Sequence, residues 1–245
     1  MPYTTAKLTL RYAAHTDRGL VRRDNLDSAW ACDGLVAVAD GFGPASPNAR
    51  VSAAAIEAMV TAQVAGTLVE TVEGAVQRAT DTVRELVCSD AGLHGAGTTL
   101  TALAWSDTEL ALVHIGDSRA YLLRDGDLLQ LTHDDSVVQG LIDKGELTER
   151  EAALHPQRAV LTRALHGGDT DPPAVLTQYD PRPGDRYLLC SDGVHTVLPP
   201  VVLRDALLYR PDPAAAIHEL FSLVHRGGAP DNLAAVVAVI TSAPS

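Results

Sequence analysis

Four aspartates in this chain stand where a carboxylate is out of place. "LVAVADG" (35–41) ends an apolar run at Asp40, "LALVHIGDS" (110–118) at Asp117, and "DRYLLCSDG" (185–193) at Asp192. Asp231 stands just ahead of a further run, "NLAAVVAVI" (232–240). Taken singly, Asp beside Gly is a turn signal, because Gly takes positive φ and Asp caps turns through its side chain. Asp125-Gly126, at a polar hairpin tip, is such a turn. Taken together, the four suggest a site. Antiparallel neighbours bring the end of one strand beside the start of the next, so all four can share one rim. Carboxylates gathered there repel, and burial raises their pKa values. Divalent cations relieve both costs. Oxygen donors without Cys or His select a hard ion, Mg²⁺ or Mn²⁺. Two such ions lower the pKa of a shared water and stabilise a phosphoryl transition state. Arginine matches phosphate with its planar fork. "GLVRRDNLDS" (19–28) supplies Arg22 and Arg23, followed by Asn25 and Asp27, although an arginine pair in a loop is by itself an ordinary solvated face.

The elements that must position these groups are legible from periodicity. Strands are expected at 7–12, 29–32, 35–39, 98–105, 109–115, 119–124, 128–131, 174–180, 186–190 and 233–240. Tight links such as Arg124-Asp125-Gly126-Asp127 favour antiparallel hairpins. Residues 68–88 place Val69, Val72, Val76, Ala79, Val83 and Leu86 at steps of three and four, an amphipathic helix. Residues 47–65, opened by Pro47, read as a second helix. A third covers 213–226, capped by Asp212, begun by Pro213 and stopped by Gly227-Gly228. Grouped strands with helices in blocks between them imply an α+β fold, helices covering the outer faces of packed sheets. Residues 134–166 interrupt the strands with a helix from Ser136 to Lys144 and a capping-box start at Thr148 to Glu151, an inserted helical flap.

Composition narrows the function. At 245 residues and 46% hydrophobic content the chain can bury a sizeable core. The net charge of −12 comes without a basic stripe, which speaks against nucleic-acid binding. No apolar run approaches the roughly eighteen residues of a membrane span. The first residues lack the basic-then-apolar order of a secretory signal. Cys32, Cys88 and Cys190 are few and far apart, as in reduced cytoplasmic proteins. Cys190, inside an apolar strand, reads as core, and so does His114.

The ordered segments "VRRDNLDS", "VAVADGFG", "GTTLTAL", "HIGDSRAYLLRDG", "LTHDDS", "HPQRAVLTRAL", "GDRYLLCSDG" and "GGAPDNLAAVV" resemble the bacterial metal-dependent protein phosphatases, the PPM or type 2C family. The resemblance runs from about residue 8 to 240, and eight motifs in order are specific where one would be weak. It implies one catalytic domain over 1–245, a four-layer αββα sandwich of two mainly antiparallel sheets with the flap at 134–166. Asp40 would bridge two Mn²⁺ or Mg²⁺ ions, with the Gly41 carbonyl on one of them. Asp192 and Asp231 would complete the binuclear centre, and Asp117 with Asp192 would hold a third ion. Asp27 would hold metal-bound water from behind the ligands, and Arg22, first of the R-x-x-N-x-D pattern, would bind the substrate phosphate. Thr98 and Thr99 become a motif near this centre rather than only a β-branched strand start.

The implied function is hydrolysis of phosphoserine and phosphothreonine by a metal-activated water, without a nucleophilic Cys or Ser. Phosphorylated proteins, namely Ser/Thr kinases and their substrates, are the implied partners of a cytoplasmic monomer. Three departures qualify this. Pro44 replaces the second glycine of the D-G-x-G-G motif, and the loop after it reads "PASPNARVS". Phe42 stands where some relatives carry a proton-donating His and bacterial ones often Met. Leu26 replaces a common acidic residue before Asp27. A phosphoprotein-binding pseudophosphatase and a hydrolase of small phosphate esters stay open at this stage.

Overall fold

Short runs rich in Val, Leu and Ala bury both of their faces, and they become the central strands of two five-stranded sheets. The computed structural model describes residues 8–43, 49–62, 66–107, 109–168 and 174–242. One sheet orders its strands β1 (Leu8–Asp17), β13 (Leu233–Ser242), β12 (Arg186–Cys190), β8 (Arg119–Arg124) and β9 (Asp127–Gln130). The other orders β11 (Val175–Tyr179), β7 (Leu110–Ile115), β6 (Leu100–Trp105), β3 (Leu35–Ala39) and β2 (Ser28–Cys32). The pairings are antiparallel, as the hairpin links require. A third, small sheet joins β10 (Leu165–His166), β5 (Gly97–Thr98) and β4 (Gly41–Phe42). Two-residue strands leave no periodic signal, so this sheet was not expected from the sequence.

Successive side chains of a strand point to opposite faces, and β3 shows the consequence. Val36 and Val38 face the other sheet, with Leu103, Leu112, Leu122, Leu189 and Val236 in the same inner layer. Ala37 and Ala39 face outward, where α1 (Arg50–Val60) and α2 (Leu68–Ser89) cover them with Ile56, Met59, Val72 and Val83. On the opposite outer face, α6 (Pro200–Tyr209) and α7 (Pro213–Arg226) pack Leu203, Leu207, Ile217 and Leu220 onto Leu188, Ala235 and Val237. The result is four layers, αββα, as the motifs implied. Burying one such aliphatic side chain is worth about 1.5–3 kcal/mol.

The helix ends follow local chemistry. Thr67 and Glu70 form a reciprocal capping box at the start of α2, and Asp212 accepts from the Ala215 N–H ahead of Pro213 in α7. Of the helix expected at 47–65, α1 spans Arg50–Val60; residues 47–48 and 63–65, Pro44 and the first residue of the strand expected at 7–12 lie outside the described residues. Helix α6 was not foreseen, because Pro199-Pro200 reads as a break. Proline is nevertheless tolerated in the first turn, where its missing N–H has no partner to lose.

The flap forms as two short helices, α3 (Val137–Asp143), capped by Ser136, and α4 (Glu149–Ala152), opened by the Thr148–Glu151 capping box. Asp135 fastens it to the sandwich. Its N–H donates to Gly116 O at 2.7 Å, and its carbonyl accepts from Thr162 N at 2.8 Å. Its carboxylate accepts from Gly116 N at 3.0 Å and pairs with Arg163. Between α4 and α6 the chain also makes α5 (Asp192–His195), a single turn that begins on the third aspartate.

Candidate active site

The strand register brings the singled-out aspartates to one end of the sandwich. Val38 pairs with Thr101 across β3 and β6, and Leu100 with Ile115 across β6 and β7, so Thr99 lies between Asp40 and Gly116. Thr99 donates its N–H to Asp40 O at 2.9 Å, accepts the Asp40 N–H on its Oγ1 at 2.9 Å, and shares a hydrogen bond with Ser118 at 2.8 Å. Thr98 Oγ1 donates to Asp40 O at 3.0 Å. Gly116 has φ of +108°, and a Cβ on it would meet Thr99 Cγ2 at 2.5 Å, so only glycine brings Asp117 this close.

In the other sheet Cys190 pairs with Ala235, and Ser191 Oγ accepts from Ala234 N at 2.9 Å. This sets Asp192 beside Asp231, and a Cβ on Gly193 would strike Asn232 O at 2.0 Å. Gly41 likewise lies against Leu26 O, 2.4 Å from where its Cβ would be.

Arg22, Asp40, Gly41, Asp117, Asp192 and Asp231 all line one cleft of about 1410 Å³. Asp27 is buried behind them. Burial holds the Asp40 carboxyl well above its ordinary pKa, with Asp27, Asp192 and Asp117 adding to the rise. Burial also raises Asp192, and Asp231 adds to it. Asp117 is raised by burial, then by Asp192 and Asp134. Asp27 is raised by burial against an opposing hydrogen bond from Ser191. These carboxylates therefore sense one another at close range. Arg22 Nη2 donates to Asp231 Oδ2 at 2.7 Å and brings positive charge to this rim.

This arrangement fits hard divalent ions. The donors are all oxygen, and among the described residues the buried Asp27 Oδ2 has no hydrogen-bond partner. Among the described residues, no three His, Cys, Asp or Glu side chains close as a ready-made cage. Mg²⁺ and ions like it suit so open a site, because they keep much of their water and take only one or two carboxylates each.

Other residues hold the site in shape; the motifs contained Asn232 without giving it a role, and His195 lies outside them. Asn232 is buried; its Nδ2 donates to Arg18 O and Asp24 O, both at 2.9 Å, and its Oδ1 accepts from Leu26 N at 2.9 Å. It thus pins the loop that carries Arg22. His195 bonds Asp117 O at 3.0 Å, and burial lowers its pKa to about 4, so the ring is neutral. A polar residue beside an apolar strand was the available signal for Asn232. His195 gave none. Arg23 lines the cleft without an ion pair to the aspartates among the described contacts. Cys190 is fully buried with its thiol pushed up to about 12, and His114 is a core histidine bonded to Thr101 and His133 O.

A layered αββα fold with an acidic rim at its strand ends defines the class, and comparison with known proteins gives the family. The protein phosphatase 2C model matches residues 11–238, and the chain belongs to that family. It is 44% identical over 234 residues to the serine/threonine protein phosphatase PstP of Mycobacterium tuberculosis, covering 94% of this chain and 45% of that protein. The chain thus spans less than half the length of this relative. The crystal structure of M. tuberculosis PstP superposes with a TM-score of 0.88 at 43% identity, covering 95% of this chain and 99% of that one. A PstP catalytic domain in complex with two manganese ions gives a TM-score of 0.88 at 42% identity, covering 96% and 100%.

Proposed function

We propose that this chain is a Mn²⁺- or Mg²⁺-dependent Ser/Thr protein phosphatase, forming one catalytic domain over 1–245 with its flap at 134–166. The observation that carries the reading is the Arg22 guanidinium 2.7 Å from Asp231, at the mouth of a cleft walled by Asp40, Asp117 and Asp192. Asp40, the Gly41 carbonyl, Asp192 and Asp231 would hold two ions, and Asp117 with Asp192 a third. Bound there, the ions supply a water of lowered pKa and positive charge against the phosphoryl oxygens. Arg22 binds the phosphate through a charge-assisted fork and orients the ester for in-line attack. Asp27, from behind, fixes water through its unpaired oxygen. Phe42 has no acidic proton to give, so the leaving alkoxide takes one from water or another group.

The intact carboxylate set favours turnover over a purely phosphoprotein-binding role. The relative that binds two manganese ions supports the metal assignment. No helix among the described residues is long and apolar enough to cross a membrane. Sparse, separated cysteines favour a reducing cytoplasmic setting, and phosphorylated proteins, Ser/Thr kinases and their substrates, are the partners this reading implies for a monomer. The test is hydrolysis of p-nitrophenyl phosphate with added Mn²⁺. Turnover that depends on the metal and is lost in Asp192→Ala is expected. A wild-type rate no higher than that of the variant contradicts the reading.

A further inference from the structure

We infer that Phe42 and Val160 form an apolar subsite for a hydrophobic side chain flanking the phosphorylated residue of the substrate, an inference that rests on the phosphatase reading above. Phe42 lies two residues beyond Asp40, on β4, where its backbone pairs with Gly97. The ring is seated on that glycine: a Cβ at 97 would come within 2.5 Å of Phe42 Cζ and 2.7 Å of Leu165 O. Glycine at 97 therefore makes a shelf that fixes the ring beside the acidic rim. The ring is still 38% exposed, and it lines the cleft. In the same cleft the flap presents Val160, 44% exposed, its carbonyl accepting from Val137 N at 2.9 Å and its N–H donating to Gln157 O at 3.0 Å. Leu161 lines the same cleft, and Leu20 and Val21, 61% and 69% exposed, lead into Arg22.

Exposed apolar side chains lining a cleft beside polar groups point to a binding surface. Neither a phosphate group nor a metal ion gains from them, so they serve another part of the ligand. The occupant must offer a phosphoryl group to Arg22 and apolar surface next to it. A phosphoserine or phosphothreonine segment with a neighbouring Leu, Ile, Val or Phe meets both demands. The cleft volume of about 1410 Å³ also exceeds the roughly 300–1,000 Å³ of small-molecule pockets. A compact phosphate ester would leave the Phe42 shelf bare.

The experiment compares kcat/KM for two phosphothreonine peptides, one with Leu and one with Ser at both flanking positions. The wild type, Phe42→Ala and Val160→Ser are each assayed with Mn²⁺. The wild type is expected to favour the Leu peptide by about tenfold, the scale set by removing one aliphatic side chain from water. Each variant should shrink that ratio severalfold. Because the ratio is taken within one protein, any general loss of activity cancels, and Val160→Ser gives a second reading should Phe42→Ala disturb the shelf. A wild-type ratio near one, or a ratio unchanged in both variants, overturns the subsite while leaving the phosphatase reading intact. No wild-type turnover of either peptide or of p-nitrophenyl phosphate overturns both.

Discussion

Arg22 Nη2 donates to Asp231 Oδ2 at 2.7 Å, so the residue proposed to bind phosphate is held by a residue proposed to bind metal. The two groups are far apart in sequence and meet because Asn232 ties the arginine loop to the start of β13. A phosphoryl group would take the guanidinium's remaining N–H donors or compete with Asp231 for Nη2. A charge-assisted hydrogen bond is worth about 1.5–3 kcal/mol, or roughly 10- to 150-fold. Arg22→Ala should therefore raise KM for a phosphopeptide by about that factor, with a smaller change in kcat. Steady-state kinetics would refute the assignment by showing an unchanged KM.

Asn232→Ala removes three hydrogen bonds from a buried position and leaves Arg18 O, Asp24 O and Leu26 N without this partner. Unsatisfied buried groups cost about 1–3 kcal/mol each at most, since water reaches part of this loop. Denaturant unfolding should show a loss of that order, and KM should rise as the Arg22 loop loosens. A variant as stable as the wild type with unaltered KM would show that the loop is held by other means.

Asp135 joins the flap to the turn before Asp117 through Gly116, and within the flap it pairs with Arg163. Asp135→Ala should leave the strands intact but free the flap. Amide exchange is expected to speed up at Thr162 and Val137, whose N–H groups bond Asp135 O and Val160 O. Global stability should fall by about 1–3 kcal/mol. Unchanged exchange at those two amides would mean that Asp135 does not anchor the flap.

The sequence alone disclosed the strands that end at the site and the rim they form, because a carboxylate closing a buried run is unusual enough to notice. Helix α7 was legible to the residue, since its cap, first-turn proline and terminal glycines all agree. The third sheet and α6 were not. Two-residue strands at Gly41–Phe42 and Gly97–Thr98 carry no period, and Pro199-Pro200 masks a helix start behind a turn signal. The work of Asn232, Thr99 and Asp135 was hidden for a different reason. Each acts by bonding backbone atoms remote in the chain, and no local pattern records such partners.

Burial lowers the pKa of His114, which bonds Thr101 and His133 O in the core. The unfolded chain protonates this ring below about pH 6.5, and the folded chain does not until lower pH. The stabilisation is therefore present in full above the unfolded pKa, and it is lost progressively as pH falls toward the folded one. The slope from one such group is at most about 1.4 kcal/mol per pH unit. His114→Gln should reduce the slope of the stability profile below pH 6.5 by up to that amount. Parallel profiles for variant and wild type would show that His114 takes no part.

The claim that strand-end carboxylates assemble one metal centre meets its most direct test in calorimetric titration with Mn²⁺. The wild type should bind two ions tightly, with the third site weaker, and Asp40→Ala, which removes the proposed bridge, should lose the tight pair while keeping its fold by circular dichroism. Two tight sites persisting in Asp40→Ala would contradict the account.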